Sequence, residues 1–323
     1  QVAGGGDGAV WIWDDPLGGR QSTGDLALSL TGPSAGGAGL PGVVGDVDGD
    51  GAVDLLVGAP EEGSAFLVSG PVTASGALEA VAHELRGTGS SLAVVTGIGD
   101  VDGDGLGDIG MGAPERSASG RAWIVLGPGT AVAGVNDADV IVEGVDGEDL
   151  LGSAVAPVGD LDGDGYADLV IGAPGVDRDG RDIGEAYLLH GPVTASGPGP
   201  DLARATLFGE FTGDLAGAAA DGGEDVDGDG VPDLLIAAPG HDQAGSAAGL
   251  VYLVYGPASG EVELKFSGAS FEARARRDAA GTSVALPGDV NGDGFGDILI
   301  GSPGNDDVAS DAGVADVVLG IGL

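Results

Sequence analysis

The sequence predicts an all-β chain, and within that class a β-propeller of four-stranded antiparallel blades. Three observations carry the prediction. Sixty-eight glycines and seventeen prolines punctuate short runs of Val, Ile, Leu and Ala, the turn density of an all-β chain. Long stretches of helix-period hydrophobicity are absent. An acidic run also recurs five times, with first aspartates at Asp46, Asp100, Asp160, Asp225 and Asp289 and spacings of 54, 60, 65 and 64 residues, the signature of a repeat architecture.

The elements follow in chain order. Residues 9–15 (AVWIWDD) and 26–32 (LALSLTG) form a partial blade, 1–32, that matches the third and fourth strands of the later repeats. Each full repeat opens with a Gly-rich strand A that leads into the acidic run. Strand B follows at once: DLLVGAP (54–60), DIGMGAP (108–114), DLVIGAP (168–174), DLLIAAP (233–239) and DILIGSP (297–303). Continuous apolar character bounded by Gly and Pro reads as a strand covered on both faces. Strand C is SAFLVSGP (64–71), RAWIVLGP (121–128), EAYLLHGP (185–192), LVYLVYGP (250–257) and VADVVLG (314–320). Strand D is weaker and more polar, as in ARATLFGE (203–210) and EVELKFSG (261–268).

Such a unit cannot bury both faces alone, and blades set around an axis cover one another. The whole chain, 1–323, is expected to be a single propeller domain. Its ends fall inside blades, two strands first and three last, so 21 strands are counted, one more than a five-blade ring needs. Five to seven blades are expected, five of them with acidic loops near 46–54, 100–108, 160–168, 225–233 and 289–297.

In every repeat the run reads D-x-[DN]-x-D-G-x-x-D. The alternating ligands are Asp46, Asp48 and Asp50; Asp100, Asp102 and Asp104; Asp160, Asp162 and Asp164; Asp225, Asp227 and Asp229; and Asp289, Asn291 and Asp293. The seventh residues, Ala52, Leu106, Tyr166, Val231 and Phe295, offer a backbone carbonyl. The ninth, Asp54, Asp108, Asp168, Asp233 and Asp297, close each cage. Alternate spacing turns three side chains toward one point while glycine permits the bend. Carboxylates this close repel by about 1 kcal/mol per pair at 4 Å even in water, so the pattern calls for a cation. All-oxygen ligation with flexible geometry selects Ca2+, up to five ions, over zinc, copper or magnesium. An EF-hand is excluded because its closing glutamate is replaced by Val57, Met111, Ile171, Ile236 and Ile300.

The acidic loop joined to the L-x-I-G-A-P strand resembles the FG-GAP repeat of integrin α-subunit β-propellers and their bacterial relatives, over nearly the whole chain. The resemblance implies a calcium cage in the A–B hairpin and a ligand face on the opposite side of the propeller. The Phe-Gly pair itself survives only as Leu151-Gly152, Ala216-Gly217 and Ala280-Gly281, and is absent at Ser91-Leu92 and Gly37-Ala38. The family usually closes seven blades.

Composition narrows the function. Fifty-two acidic residues face 11 basic ones, a formal charge of -41, which repels nucleic acid and anionic membranes. No apolar run approaches the roughly 18 residues of a membrane helix, so no membrane insertion is expected. Without cysteine there is no disulfide, thiolate metal site or thiol nucleophile. Gln1 without a methionine or signal peptide suits a processed secreted protein or a fragment of a longer one. His83, His190 and His241 show no triad arrangement, and no enzyme activity is expected.

Calcium modules outside the cell typically bind with Kd of about 10⁻⁴ to 10⁻³ M, so an extracellular or cell-surface location is expected. The leading expectation is a non-catalytic, calcium-stabilised propeller for adhesion or protein–protein binding, with its protein ligand on the surface opposite the calcium loops. Candidate ligand loops are 175–184, 240–249 and 304–313. One alternative is a structural subunit of an extracellular filament or surface layer, self-assembling through its incomplete end blades. Another is a carbohydrate-binding or carbohydrate-processing propeller, for which Trp11, Trp13 and Trp123 would have to leave a packing role on C strands. Arg274, Arg276 and Arg277 are expected to offset nearby acids, and GPVTASG, present at 70–76 and 191–197, is read as a C–D turn without chemistry.

Overall fold

Six β-sheets follow one another along the chain in a computed structural model that describes residues 8–12, 28–33, 39–60, 62–87, 92–115, 118–128, 134–309 and 312–320. The first sheet holds β1 (Ala9–Ile12) and β2 (Leu28–Thr31), paired antiparallel. The second runs β3 (Leu40–Gly45), β4 (Asp54–Ala59), β5 (Ser64–Val68) and, after the two-residue β6 (Gly76–Ala77) and the one-turn α1 (Leu78–Val81), β7 (His83–Arg86). The third is β8 (Val94–Gly99), β9 (Asp108–Ala113), β10 (Arg121–Val125) and β11 (Val140–Glu143). The fourth is β12 (Ala154–Gly159), β13 (Asp168–Ala173), β14 (Glu185–Leu189) and, past β15 (Gly197–Pro198) and α2 (Gly199–Leu202), β16 (Ala205–Phe208). The fifth is β17 (Ala219–Glu224), β18 (Asp233–Ala238), β19 (Leu250–Val254) and, past β20 (Gly260–Glu263), β21 (Gly268–Glu272). The sixth is β22 (Ser283–Gly288), β23 (Asp297–Ser302) and β24 (Val314–Val318).

Among the described residues these make two strands, four four-stranded units and three strands, and the chain is an all-β propeller of four-stranded blades. Trp13, the rest of 1–7 and 13–27 in the partial first blade, and Gly37-Ala38 lie outside the described residues.

The inner sheets are apolar on both faces because they are sandwiched. Val170, Leu188 and Leu207 of the fourth sheet pack with Leu234, Ile236 and Tyr252 of the fifth. The opposite face of the fourth sheet, Leu169, Ile171 and Tyr187, packs with Ile98, Ala122 and Ile124 of the third. This two-sided burial explains why the B strands read as continuous hydrophobic runs.

Every A strand ends in a bulge at the mouth of the acidic loop, with register shifts at Val43/Gly45, Gly97/Gly99, Pro157/Gly159, Gly222/Glu224 and Ala285/Gly288. Four of the five bulges use a glycine at positive φ immediately before the first aspartate, such as Gly45 at 79°. The fourth repeat has Glu224 there, and the positive φ moves one residue back to Gly223, at 102°. The extra residue turns the chain out of the sheet and aims the loop.

One strand differs from the sequence reading. The segment expected as a single D strand, 261–268, is divided. Strand β21 at 268–272 pairs with β19 as the true D strand. Strand β20 at 260–263 instead runs parallel to β16 of the preceding blade, with Ala205 opposite Gly260 and Phe208 opposite Glu263. Glu261 and Glu263 suit that exposed edge, whereas Ala269 and Phe271 pack into the core beside Val251 and Leu253.

The same parallel clasp accounts for GPVTASG. Gly76 and Ala77 pair with Leu30 and Thr31, and Gly197 and Pro198 with Val142 and Glu143. The Ser75 and Ser196 hydroxyls accept hydrogen bonds from the backbone N–H of Ser29 and Ile141, both at 2.9 Å. The heptapeptide is thus a turn that also fastens adjacent blades.

Candidate metal centre

The five acidic loops fold alike because the same backbone groups meet the same side chains. In the first, the Asp46 carboxylate accepts N–H bonds from Gly49 (2.8 Å), Asp50 (3.1 Å) and Gly51 (2.9 Å). Asp48 accepts from the Asp50 N–H, and Asp50 from the N–H of Ala52. Gly51 sits at φ 88° with no heavy atom near a virtual Cβ, so the backbone angle and not space demands glycine there.

The pattern repeats around Asp100, Asp160, Asp225 and Asp289, each of which accepts N–H bonds from the glycines three and five residues on. These donors hold the Asp289 carboxyl below the usual carboxylate range, the Gly294 N–H being the largest influence. The N–H groups of the seventh residues Leu106, Tyr166, Val231 and Phe295 bond Asp104, Asp164, Asp229 and Asp293 in the same way. In the fifth loop the Asn291 amide donates to Asp293 at 2.8 Å.

In three loops the first, third and fifth positions converge. One carboxylate oxygen from each of Asp46, Asp48 and Asp50 lies within 4.8 Å of the others, as it does for Asp160, Asp162 and Asp164, and for Asp225, Asp227 and Asp229. In the second loop the converging set is Asp100, Asp102 and the ninth-position Asp108.

The ninth aspartates do more than close a cage. Asp54, Asp108, Asp168, Asp233 and Asp297 are all 1% exposed or less. One oxygen of each accepts the N–H of the second loop residue, and the other that of the glycine after strand C: Gly70, Gly127, Gly191, Gly256 or Gly320. This ties the A–B loop to the end of strand C. Burial pushes the Asp108 and Asp233 carboxyls up to about 6 and raises Asp168 as well.

Neighbouring loops are also joined. The N–H of Gly107 donates to the carbonyl of Asp46, that of Ala167 to Asp100 and that of Gly296 to Asp225, each at 2.8 Å. The link from the third loop to the fourth is missing because Pro232 has no N–H to offer.

Among the described residues, no arginine or lysine forms an ion pair with a loop carboxylate. Besides the Asn291 amide within the fifth loop, the side-chain nitrogen on a loop aspartate among the described residues belongs to His190, whose Nδ1 is 2.8 Å from Asp162 Oδ2 and holds that carboxyl low. Sequence reasoning gave His190 no role; its place directly before the anchoring Gly191 was the available signal. Converging carboxylates that no arginine or lysine neutralises among the described residues fit a hard cation with oxygen ligands.

Strands B and C carry the loops 175–184, 240–249 and 304–313 at the ends opposite the acidic loops. Much of their polar chemistry holds the loops themselves. Arg178 pairs with Glu185 at 3.0 Å and with Glu261, and stands 4.2 Å over the Phe208 ring. Asp242 accepts the Ala247 N–H, and Asn305 donates to the buried Asp278. Residues 310 and 311 lie outside the described residues. Arg274 pairs with Asp307 and Asp316, so it offsets acids as expected. Trp123 is 2% exposed inside the core and offers no face to a sugar.

Comparison with known proteins agrees with this geometry. The FG-GAP repeat family model matches residues 42–77, 151–189, 216–254 and 280–318. Three of these segments begin at or beside the surviving pairs Leu151-Gly152, Ala216-Gly217 and Ala280-Gly281. Integrin alpha-PS2 of Drosophila melanogaster is 31% identical over 220 residues, 62% of this chain and 15% of that protein. Integrin alpha-IIb of Homo sapiens is 32% identical over 216 residues, 62% of this chain and 20% of that protein. Integrin alpha-V of Gallus gallus is 29% identical over 258 residues, 72% of this chain and 22% of that protein. The chain thus spans less than a quarter of these relatives. A crystal structure of BBS1N in complex with ARL6DN, soaked with mercury, superposes with a TM-score of 0.53 over 99% of this chain and 73% of that one. At 11% identity it shares the fold alone. By its repeats, its strand order and its acidic A–B loops, the chain is an FG-GAP repeat protein with an integrin α-like propeller.

Proposed function

We propose that this propeller is an extracellular or cell-surface module for adhesion or protein–protein binding, stabilised by up to five Ca2+ ions and without catalytic activity. In each loop the ligands are the first, third, fifth and ninth side chains and the seventh carbonyl. The observation that carries the reading is the fivefold recurrence of one loop geometry with a buried ninth aspartate, whose carboxylates converge in four of the loops and meet no arginine or lysine among the described residues. Bound Ca2+ supplies the missing positive charge, and the chain's residues orient the hairpins. The protein ligand is assigned to the B–C and D–A loops of the opposite face, as the resemblance to integrin propellers implies.

With a Kd near 10⁻⁴ M, a site in 10 mM Ca2+ stabilises the fold by about 2.7 kcal/mol. Heating the protein in calcium and in chelator tests this. A melting temperature that is the same in both rules out a structural metal.

A second reading, a subunit of an extracellular filament or surface layer, is favoured by the sixth sheet. Val317 is 55% exposed, whereas its register equivalents Leu67, Ile124, Leu188 and Leu253 are at most 3% exposed beneath the following blade. A second copy of the chain would cover this face and extend β24. Sedimentation that shows a strict monomer at high calcium counts against it.

A further inference from the structure

The third loop differs from the other four in the residue that follows strand C. Ser69, Leu126, Tyr255 and Leu319 occupy that place elsewhere; the third repeat has His190. The position is fixed beside the loop in every blade, because the next residue is the glycine whose N–H bonds the ninth aspartate. One potential ligand atom from each of Asp162, Asp168 and His190 lies within 4.8 Å of the others.

The imidazole is largely enclosed there. Its side chain is 11% exposed, Nδ1 meets Asp162, and Nε2 is buried without a hydrogen-bond partner. Asp168 is itself fully buried. Asp162 is the adjustable member, at 36% exposure. A cavity of about 170 Å³ lined by His190, Val193 and Thr194 adjoins the imidazole.

We propose that the third loop is a mixed nitrogen–oxygen site, in which His190 joins Asp162 and Asp168 and selects a divalent transition metal such as Zn2+ over Ca2+. Calcium takes oxygen ligands, whereas imidazole with carboxylates suits zinc and its neighbours in the first transition row. The other four loops offer no ring nitrogen and keep the calcium preference. The inference rests on the reading of the acidic loops as cation sites and assigns one of them a different ion.

The test titrates Zn2+ into the whole protein in 5 mM Ca2+ and follows Co2+ in parallel by its visible absorption. Wild type is expected to take up one equivalent of Zn2+ at least tenfold more tightly than any further ion, and to develop a Co2+ band of the same stoichiometry. His190→Leu, which installs the residue of the second and fifth loops, is expected to lose that equivalent and the band while its melting temperature still rises with calcium. A tight equivalent that survives in His190→Leu, or wild type and variant that take up Zn2+ alike, overturns the proposal. If wild type binds Ca2+ but shows no preferred Zn2+ site, this assignment alone fails; if it binds neither ion, the calcium reading fails with it.

Discussion

Asp233 separates the two jobs assigned to the acidic loops. The carboxylate is 1% exposed and accepts N–H bonds from Val226 at 2.9 Å and Gly256 at 3.1 Å. Asp233→Ala leaves both donors without their acceptor inside the protein, and a hydrogen bond to a charged group contributes about 1.5–3 kcal/mol. Part of that is offset, because the aspartate sits in a site where burial raises its carboxyl to about 6. The expected cost is about 2–5 kcal/mol without any metal, or roughly 4–10 °C in Tm at about 2 °C per kcal/mol. Asp227→Ala removes a converging carboxylate that accepts a single local bond, from the Asp229 N–H at 3.1 Å. Its expected cost in chelator is below about 1 kcal/mol, and the calcium-dependent gain at that site is lost. Differential scanning calorimetry of both variants, with chelator and with 10 mM Ca2+, gives the four numbers needed. If Asp233→Ala melts with wild type in chelator, the ninth aspartate is a metal ligand only, and the argument that it anchors the blade is wrong.

Further outcomes follow from other features. Since Asp108 and Asp233 sit at about 6 in the metal-free fold, above their unfolded value, the folded state holds protons that the unfolded chain has released. Their contribution, at most about 3 kcal/mol each, is present below pH 3.8 and lost as pH rises through 6. Urea unfolding in chelator should therefore show these groups favouring the fold less at pH 7 than at pH 5, with the trend reversed in saturating calcium. Calorimetric titration at pH 6 in two buffers of different ionisation enthalpy should reveal proton release on calcium binding; no release would contradict the raised carboxyls. Ser196→Ala removes the acceptor for the Ile141 N–H between the third and fourth sheets and is expected to cost about 1 kcal/mol by urea unfolding. Gly223→Ala forces a side chain into φ 102° at the displaced bulge and is expected to cost about 1–3 kcal/mol, whereas an unchanged midpoint would show that the bulge relaxes freely.

Much of the fold was legible because each repeat states it again. Strand B could be read from DLVIGAP alone, since both faces are buried and no alternation had to be judged. The D strand of the fourth repeat was harder. Residues 261–268 alternate well enough to be a strand, and part of the segment is one, but it pairs with the preceding blade. Local pattern reports that a residue run is extended; it does not report the partner. The clasp formed by Ser75 and Ser196 stayed hidden for the same reason, as its partners Ser29 and Ile141 are 46 and 55 residues away.

The sequence by itself determined the repeat, from the 54–65-residue recurrence of the acidic run, and the A–B position of that run, because the loop is written within nine residues between two apolar strands. The tertiary structure decided which carboxylates are buried and what meets them. Antiparallel pairing of β13 with β14 sets Leu169 opposite Leu189, and so brings the end of strand C back to the mouth of the loop. That return places Gly191 on Asp168 and His190 on Asp162, 28 residues apart in sequence, and gives one of five similar loops a chemistry of its own.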